Sequence, residues 1–274
     1  MEWDRQVLGY IGDDADYVSL HRYVGNRDND TPDYLAITNS IDRQIEEMDA
    51  VCRYVQAKRR SKKRLYLCFD EWNVWYKNHQ MDGAGKRAPH LIEEIYNLED
   101  ALVVAGFLNS FIRHADVVKI ANIAQIVNVI APILTSGDRM LIQSIFYPFE
   151  MYTQRREGIS LRLVVRGPTY EGKTNGRVTY IDASAILGDG RLHVFAANRS
   201  LSEPADVRVI VADGRITALQ SAELLSGPDA KAANSFDQPD VVITRPFTTV
   251  RLSDGQAALT LPPLSVVAMT FRLG

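Results

Sequence analysis

The chain has 274 residues, 46% of them hydrophobic, which suits one large or two ordinary domains with real cores. A net charge of −3 gives no field that would select nucleic acid or an anionic membrane as partner. Two cysteines are too few for a disulfide framework, no apolar run approaches the ~18 residues of a membrane span, and residues 1–15 are polar and acidic rather than signal-like. The expectation is a reduced, cytoplasmic protein.

In chain order, Asp16–Tyr23 reads as a strand ending in polar and aromatic groups. A helix is expected from Tyr34 to about Arg59, because Ile37, Ile41, Ile45, Met48, Val51, Cys52 and Val55 recur at spacings of three and four. The basic cluster that follows, Lys58 to Arg64, suits a solvated helix end. Leu65–Glu71 is a second strand, Asn73–Pro89 a loop, and Leu98–Arg113 a second helix with Asn97 as its N-cap. Val117–Asn122 is a third strand and Ile145–Arg156 a last helix. Each crossover is long enough for right-handed parallel pairing.

The pattern changes near Gly158. Short strands are expected at Leu161–Val165, Val178–Ile186, Leu192–Ala197, Val207–Ala212, Ile216–Leu224, Val241–Thr244, Thr249–Leu252 and Val266–Arg272. Asp189-Gly190, Asp213-Gly214 and Asp254-Gly255 supply turn signals between them. Residues 1–156 thus read as an α/β unit and 157–274 as a β-sandwich, with the stretch from Ser226 as an ordinary surface loop. Three parallel strands leave two open edges. They form either a small open layer or the tail of a truncated barrel, and pattern alone favours neither.

The chemistry concentrates at the end of the second strand, where Asp70-Glu71-Trp72-Asn73-Val74-Trp75-Tyr76 follows an apolar run. The carboxyl end of a parallel strand is where α/β folds place reacting groups, and acids beside aromatic rings suit a sugar site. Glu71 is the catalytic candidate. Strict alternation would send Asp70 to the opposite face, so a second carboxylate must come from elsewhere. His21 and Tyr23 share a face at the end of the first strand, Trp75 borders the same region, and Gln125 follows the third strand. The five histidines show no metal-ligand spacing, and there is no phosphate-binding glycine loop or nucleophile elbow, so no metal or cofactor is expected.

At these residues the chain resembles the C-terminal part of the family 51 glycoside hydrolases, the intracellular α-L-arabinofuranosidases. The resemblance rests on Glu2-Trp3-Asp4, Ser19-Leu20-His21-Arg22-Tyr23, the Asp70–Tyr76 stretch, Asn122-Ile123-Ala124-Gln125 and, more loosely, Ile145–Phe149. It implies the last three βα units of a (β/α)₈ barrel, its sixth to eighth strands, followed by a C-terminal β-sandwich. It implies retaining hydrolysis of terminal α-L-arabinofuranosyl groups of oligo- and polysaccharides, with Glu71 as nucleophile and His21, Tyr23, Trp75 and Gln125 binding substrate. It also implies a tendency to form homo-oligomers. The family's acid/base is the Glu of an Asn-Glu pair, and no such pair occurs in this chain, so the chain alone is expected to lack useful hydrolase activity. The competing readings are a non-catalytic carbohydrate-binding or interaction module, and another barrel glycosidase with a similar nucleophile strand. Tyr170, Tyr180, Phe195 and Phe236 are too scattered in sequence to suggest a stacking platform on the sandwich.

Overall fold

The computed structural model describes residues 1–77, 85, 87 and 92–274. It begins with α1 (Glu2–Ile11), where the sequence reading had no element. Its pattern is easily missed, because only Leu8 is buried and the exposed side carries an Arg5–Glu2 ion pair. A three-stranded parallel sheet follows, formed by β1 (Tyr17–Val24), β2 (Tyr66–Val74) and β3 (Val118–Ile123) in that order.

Between β1 and β2 lie α2 (Thr31–Leu35) and α3 (Thr38–Arg59). The expected single helix is broken because Asp30 caps a separate turn that begins at Thr31-Pro32. In α3, Ile41, Ile45, Met48, Cys52 and Val55 form the buried stripe. The basic cluster after α3 is tied down rather than merely solvated. Arg59 pairs with Asp13, Lys63 with Asp16 and Arg64 with Asp49. Strand β2 runs three residues past the expected end at Glu71, and most of the loop expected to Pro89 lies outside the described residues.

Helix α4 (Leu98–Arg113) has the expected bounds, and Asn97 and Asp100 form a reciprocal capping box. It is buried nearly all round, lying between the parallel sheet, α3 and the second half of the chain. That accounts for its apolar residues on every side. A hairpin of β4 (Ile133–Ser136) and β5 (Arg139–Ile142), unforeseen from sequence, precedes α5 (Phe146–Thr153).

The second half contains β6 (Ile159–Leu161), β7 (Thr169–Gly172), β8 (Gly176–Thr179), β9 (Ile181–Gly188), β10 (Arg191–Asn198), β11 (Ala205–Val209), β12 (Ile216–Ser226), β13 (Ile243–Pro246), β14 (Arg251–Ser253), β15 (Gln256–Leu261) and β16 (Ser265–Leu273). Six strands form one sheet in the order β13-β12-β16-β10-β9-β6, and β11-β15-β14 form a second. They make a β-sandwich. Asp189-Gly190 and Asp254-Gly255 turn tight hairpins with both residues at positive φ. The strand expected at Leu161–Val165 is largely irregular. Leu163 and Val165 face the sandwich core as alternation implies, but among the described residues no strand pairs with them. Alternation reports the buried side, not a hydrogen-bonding partner.

The central strands have two buried faces. Leu192, Val194, Ala196, Val267, Met269 and Phe271 pack against Ala257, Leu259 and Leu261 of β15. Phe195, Ala197, Val266 and Ala268 turn the other way, into a core shared with α4, α3 and β2. The two halves of the chain therefore share one continuous apolar core. Polar contacts cross the same junction. Arg113 of α4 donates to Asp182 of β9 at 2.8 Å and to Asp42 of α3 at 2.9 Å. The side-chain Oδ1 of Asn109 accepts from Ser184 at 2.6 Å and from Tyr152 at 2.9 Å.

Candidate active site

Helices α3 and α4 cover one face of the parallel sheet, where Leu20, Phe69 and Trp72 are buried. Trp72 packs on Phe107, Phe111 and Phe149 and is a core residue. The opposite face carries Ser19, His21, Asp70 and Glu71.

Pairing between β1 and β2 sets this arrangement. Ser19 is opposite Cys68, but His21 is opposite Glu71, so β2 carries one extra residue. A bulge of this kind resets the alternation of the strand. Asp70 and Glu71 consequently both reach His21, and the expectation that Asp70 faces the other side is overturned. Nδ1 of His21 stands 2.8 Å from Oε2 of Glu71, and Nε2 stands 3.6 Å from Oδ1 of Asp70. The Ser19 hydroxyl donates to Asp70 at 2.7 Å. Burial works against charge on Asp70, but Ser19 and His21 outweigh it and hold the carboxyl below its usual value.

Tyr23 donates to Oε1 of Glu71 at 2.6 Å, so both carboxylate oxygens of Glu71 have a partner from β1. Burial first, and the neighbouring carboxylate second, push the Tyr23 phenol well above its usual value. It therefore stays protonated as a donor. The Trp75 ring meets the Tyr23 ring edge-on, with centroids 5.4 Å apart. Four of the five expected site residues, His21, Tyr23, Glu71 and Trp75, thus lie together.

Gln125 is placed separately, at the end of the adjoining strand. Its side chain is exposed and makes no hydrogen bond to the other four among the described residues. The preceding Ala124 N–H donates to the Trp72 carbonyl at 3.1 Å. Asn73, at the start of the loop expected from sequence, lies inside β2 and supports this turn. Its buried amide donates to the carbonyls of Ala124 at 2.7 Å and Ile130 at 2.5 Å. An Asn inside an apolar strand was the available signal.

Behind the site, the N-terminal turn of α4 carries two wholly buried acids, Glu99 and Asp100. Burial lifts the Asp100 carboxyl above its usual value, and the paired Lys77 ammonium works against that rise. Among the described residues no group of three or more His, Cys, Asp or Glu side chains could hold a metal ion, and no helix is long and apolar enough to cross a membrane. A cavity of about 760 Å³ lies in the sandwich, between Leu163, Val165, Val194 and Val207, and none of the candidate site residues lines it. Phe195 is buried against Tyr152, and Tyr170, paired with Tyr180, donates its hydroxyl to the Pro32 carbonyl.

The family model for the alpha-L-arabinofuranosidase C-terminal domain matches residues 70–265. An intracellular exo-alpha-(1->5)-L-arabinofuranosidase of Acetivibrio thermocellus is 42% identical over 253 residues, covering 88% of this chain and 50% of the relative. An intracellular exo-alpha-(1->5)-L-arabinofuranosidase of Bacillus subtilis is 38% identical over 248 residues, covering 88% and 49%. The solved structure of a family 51 alpha-L-arabinofuranosidase from Bifidobacterium longum superposes with a TM-score of 0.90 at 28% identity, covering 99% of this chain and 56% of that one. The chain spans about half the length of the curated relatives it matches.

Proposed function

The chain belongs to the α-L-arabinofuranosidase family that these comparisons define, and from that premise we propose that it carries the nucleophile side of a retaining arabinofuranosidase site. Parallel strands β1, β2 and β3 then stand for the last three strands of a (β/α)₈ barrel built on residues 1–156, with the sandwich of residues 157–274 attached. The substrate is a terminal α-L-arabinofuranosyl group on an oligo- or polysaccharide, and the compartment is the cytoplasm.

The observation that carries this reading is the double hold on Glu71. Tyr23 and His21 address its two oxygens at 2.6 Å and 2.8 Å, at the carboxyl ends of parallel strands. A carboxylate so oriented can attack an anomeric carbon from one face of a sugar and form a glycosyl ester. As the ester forms, Glu71 gives up its negative charge, and the Tyr23 O–H remains on the carbonyl oxygen. Trp75 stands beside Tyr23 as a wall for the sugar, and Gln125 extends the subsite from β3.

Retaining hydrolysis also needs a carboxylic acid roughly 5–5.5 Å from the nucleophile to protonate the departing oxygen and then activate water. Asp70 does not fill this role. Ser19 and His21 keep it charged and beside Glu71 on the same strand. The acid/base is assigned to sequence outside this chain. The test is covalent labelling by a mechanism-based arabinofuranosyl inhibitor. Glu71→Gln abolishes labelling if the reading holds. Equal sugar affinity in both forms, with labelling in neither, would instead indicate a non-catalytic carbohydrate-binding module.

A further inference from the structure

The loop after β12 is not an ordinary surface loop. Residues 229–234 run against the N-terminus of α4 and cap it from the sandwich side. The carbonyls of Ala232 and Ala230 accept from the backbone N–H groups of Leu98 and Glu99 at 2.9 and 3.0 Å, two donors that a helix start leaves without intrahelical partners. Asn234 fastens the far end through donors to the carbonyls of Ile142 and Val242, both at 3.0 Å. At the centre, the Lys231 ammonium reaches over α4 to Oε1 of Glu99 at 2.5 Å.

Glu99 is wholly buried, and among the described residues donors surround its carboxylate. Its Oε2 accepts from Thr31 at 2.7 Å and from Asn26 at 3.1 Å, both in the segment that follows β1. Its Oε1 accepts from Lys231, from Asn97 at 3.4 Å and from the Tyr76 hydroxyl at 3.3 Å. Tyr76 is the residue after Trp75, and it lies flush against Gly25, where an added Cβ would stand 2.2 Å from the Tyr76 Cβ and 2.4 Å from its ring Cγ. The Trp75 N–H donates to the Val24 carbonyl at 2.9 Å, and its ring bears on Tyr23, which donates to Glu71. A single path of contacts therefore leads from the sandwich to the nucleophile, through Lys231, Glu99, Tyr76, Trp75, Tyr23 and Glu71.

We propose that Lys231 and Glu99 are positioning residues for the Glu71 site, and that the sandwich loop clamps the Trp75–Tyr76 segment so that Tyr23 is held in register with the nucleophile. This rests on the reading of Glu71 as nucleophile. The clamp is electrostatic at its centre. Without the ammonium, the buried carboxylate keeps only neutral donors and recentres on Thr31 and Asn26, which frees Tyr76 and lets Trp75 shift against Tyr23. Removing Lys231 leaves the apolar core untouched, and circular dichroism and the urea midpoint of Lys231→Met verify that the variant is folded before its spectra are read.

The test uses the whole chain with 5-fluorotryptophan at its three tryptophans, each resonance assigned by single Trp→Phe variants. In Lys231→Met the ¹⁹F resonance of Trp75 moves or broadens while those of Trp3 and Trp72 stay in place, and Lys231→Arg restores it. In parallel, labelling of Glu71 by the arabinofuranosyl inhibitor slows about three- to tenfold at saturation, the range expected for coupling through packed and hydrogen-bonded neighbours. A Trp75 resonance that does not respond to Lys231→Met overturns the proposal. So does a shifted resonance with an unchanged labelling rate, which leaves the nucleophile reading intact. Wild-type chain that is never labelled overturns the nucleophile reading, and the positioning role falls with it.

Discussion

Arg113 joins the two halves of the molecule, and replacing it tests whether they are one folding unit. Its guanidinium donates to Asp182 of β9, to Asp42 of α3, to the Ala183 carbonyl at 3.1 Å and to Ser110 at 3.0 Å. Burial opposes its charge, but the two carboxylates outweigh it and raise the guanidinium above its usual value. In Arg113→Met the apolar stem is kept, while Asp182 retains only a 3.4 Å contact from Asn109. Removing one partner of a buried ion pair costs about 3–5 kcal/mol, because the other charge is left without compensation. The partial exposure of Arg113 and Asp42 argues for the lower end, about 3 kcal/mol. Urea unfolding followed by circular dichroism at neutral pH should show that loss as a lower midpoint of one cooperative transition. Adding Asp182→Asn should recover part of it, as expected for residues in contact.

The same variant has a pH signature. Burial works against charge on Asp42, but His114 and Arg113 hold its folded value below the ordinary 3.8. A depressed carboxyl stabilises the fold above its unfolded value, and that contribution is lost as pH falls through the folded value. The stability gap between wild type and Arg113→Met should therefore narrow as pH drops below 3.8. A neutral-pH loss under about 1 kcal/mol, or two separate transitions in wild type, would refute the shared-core reasoning.

Other expectations follow from the same geometry. Tyr23→Phe releases one oxygen of Glu71, so the carboxylate is less well aligned for attack, and should slow labelling of Glu71 about 10- to 100-fold with little change in thermal midpoint; an unaltered rate would remove Tyr23 from the site. Gly25→Ala drives a Cβ into the Tyr76 ring and should cost about 1–3 kcal/mol in urea unfolding, with the Trp75 fluorescence altered. Wild-type stability in Gly25→Ala would mean that the Tyr76 ring does not lie where the structure has it. Asn73→Ala removes the side-chain donor to the Ala124 carbonyl and one of two donors to the Ile130 carbonyl, which keeps the Gln125 N–H at 3.3 Å, and should destabilise the chain by about 1–3 kcal/mol, measured the same way; a neutral result would show that the turn bearing Gln125 holds itself.

What could be read from residues alone divides along local and non-local lines. Helix α4 was legible to the residue, because its cap at Asn97 and its charged end at Arg113 are local signals. The end of β1 was legible to within one residue, and the site at the end of β2 was legible because a strand that runs into Asp-Glu-Trp departs from an ordinary buried pattern, although β2 itself runs three residues further. The side taken by Asp70 was not legible, since it depends on one extra residue in β2 relative to β1, and pairing register is a property of two strands. The 229–234 clasp escaped for the same reason. Its small and polar residues are those of any surface loop, and only the orphan donors of a helix about 130 positions earlier give them a function. The expected strand at Leu161–Val165 failed in reverse, with a correct alternation and no partner to pair with.

The central claim is that this chain supplies a nucleophile without its acid/base. A single-turnover reaction with an aryl α-L-arabinofuranoside bearing a highly activated leaving group tests it, because such a group departs without protonation. The account predicts a stoichiometric release of the phenol. Mass spectrometry should then find one arabinofuranosyl group esterified to the peptide containing Glu71, while an unactivated alkyl arabinofuranoside gives no product. Steady hydrolysis of the unactivated substrate by the purified chain would contradict the account, and so would an adduct on any residue other than Glu71.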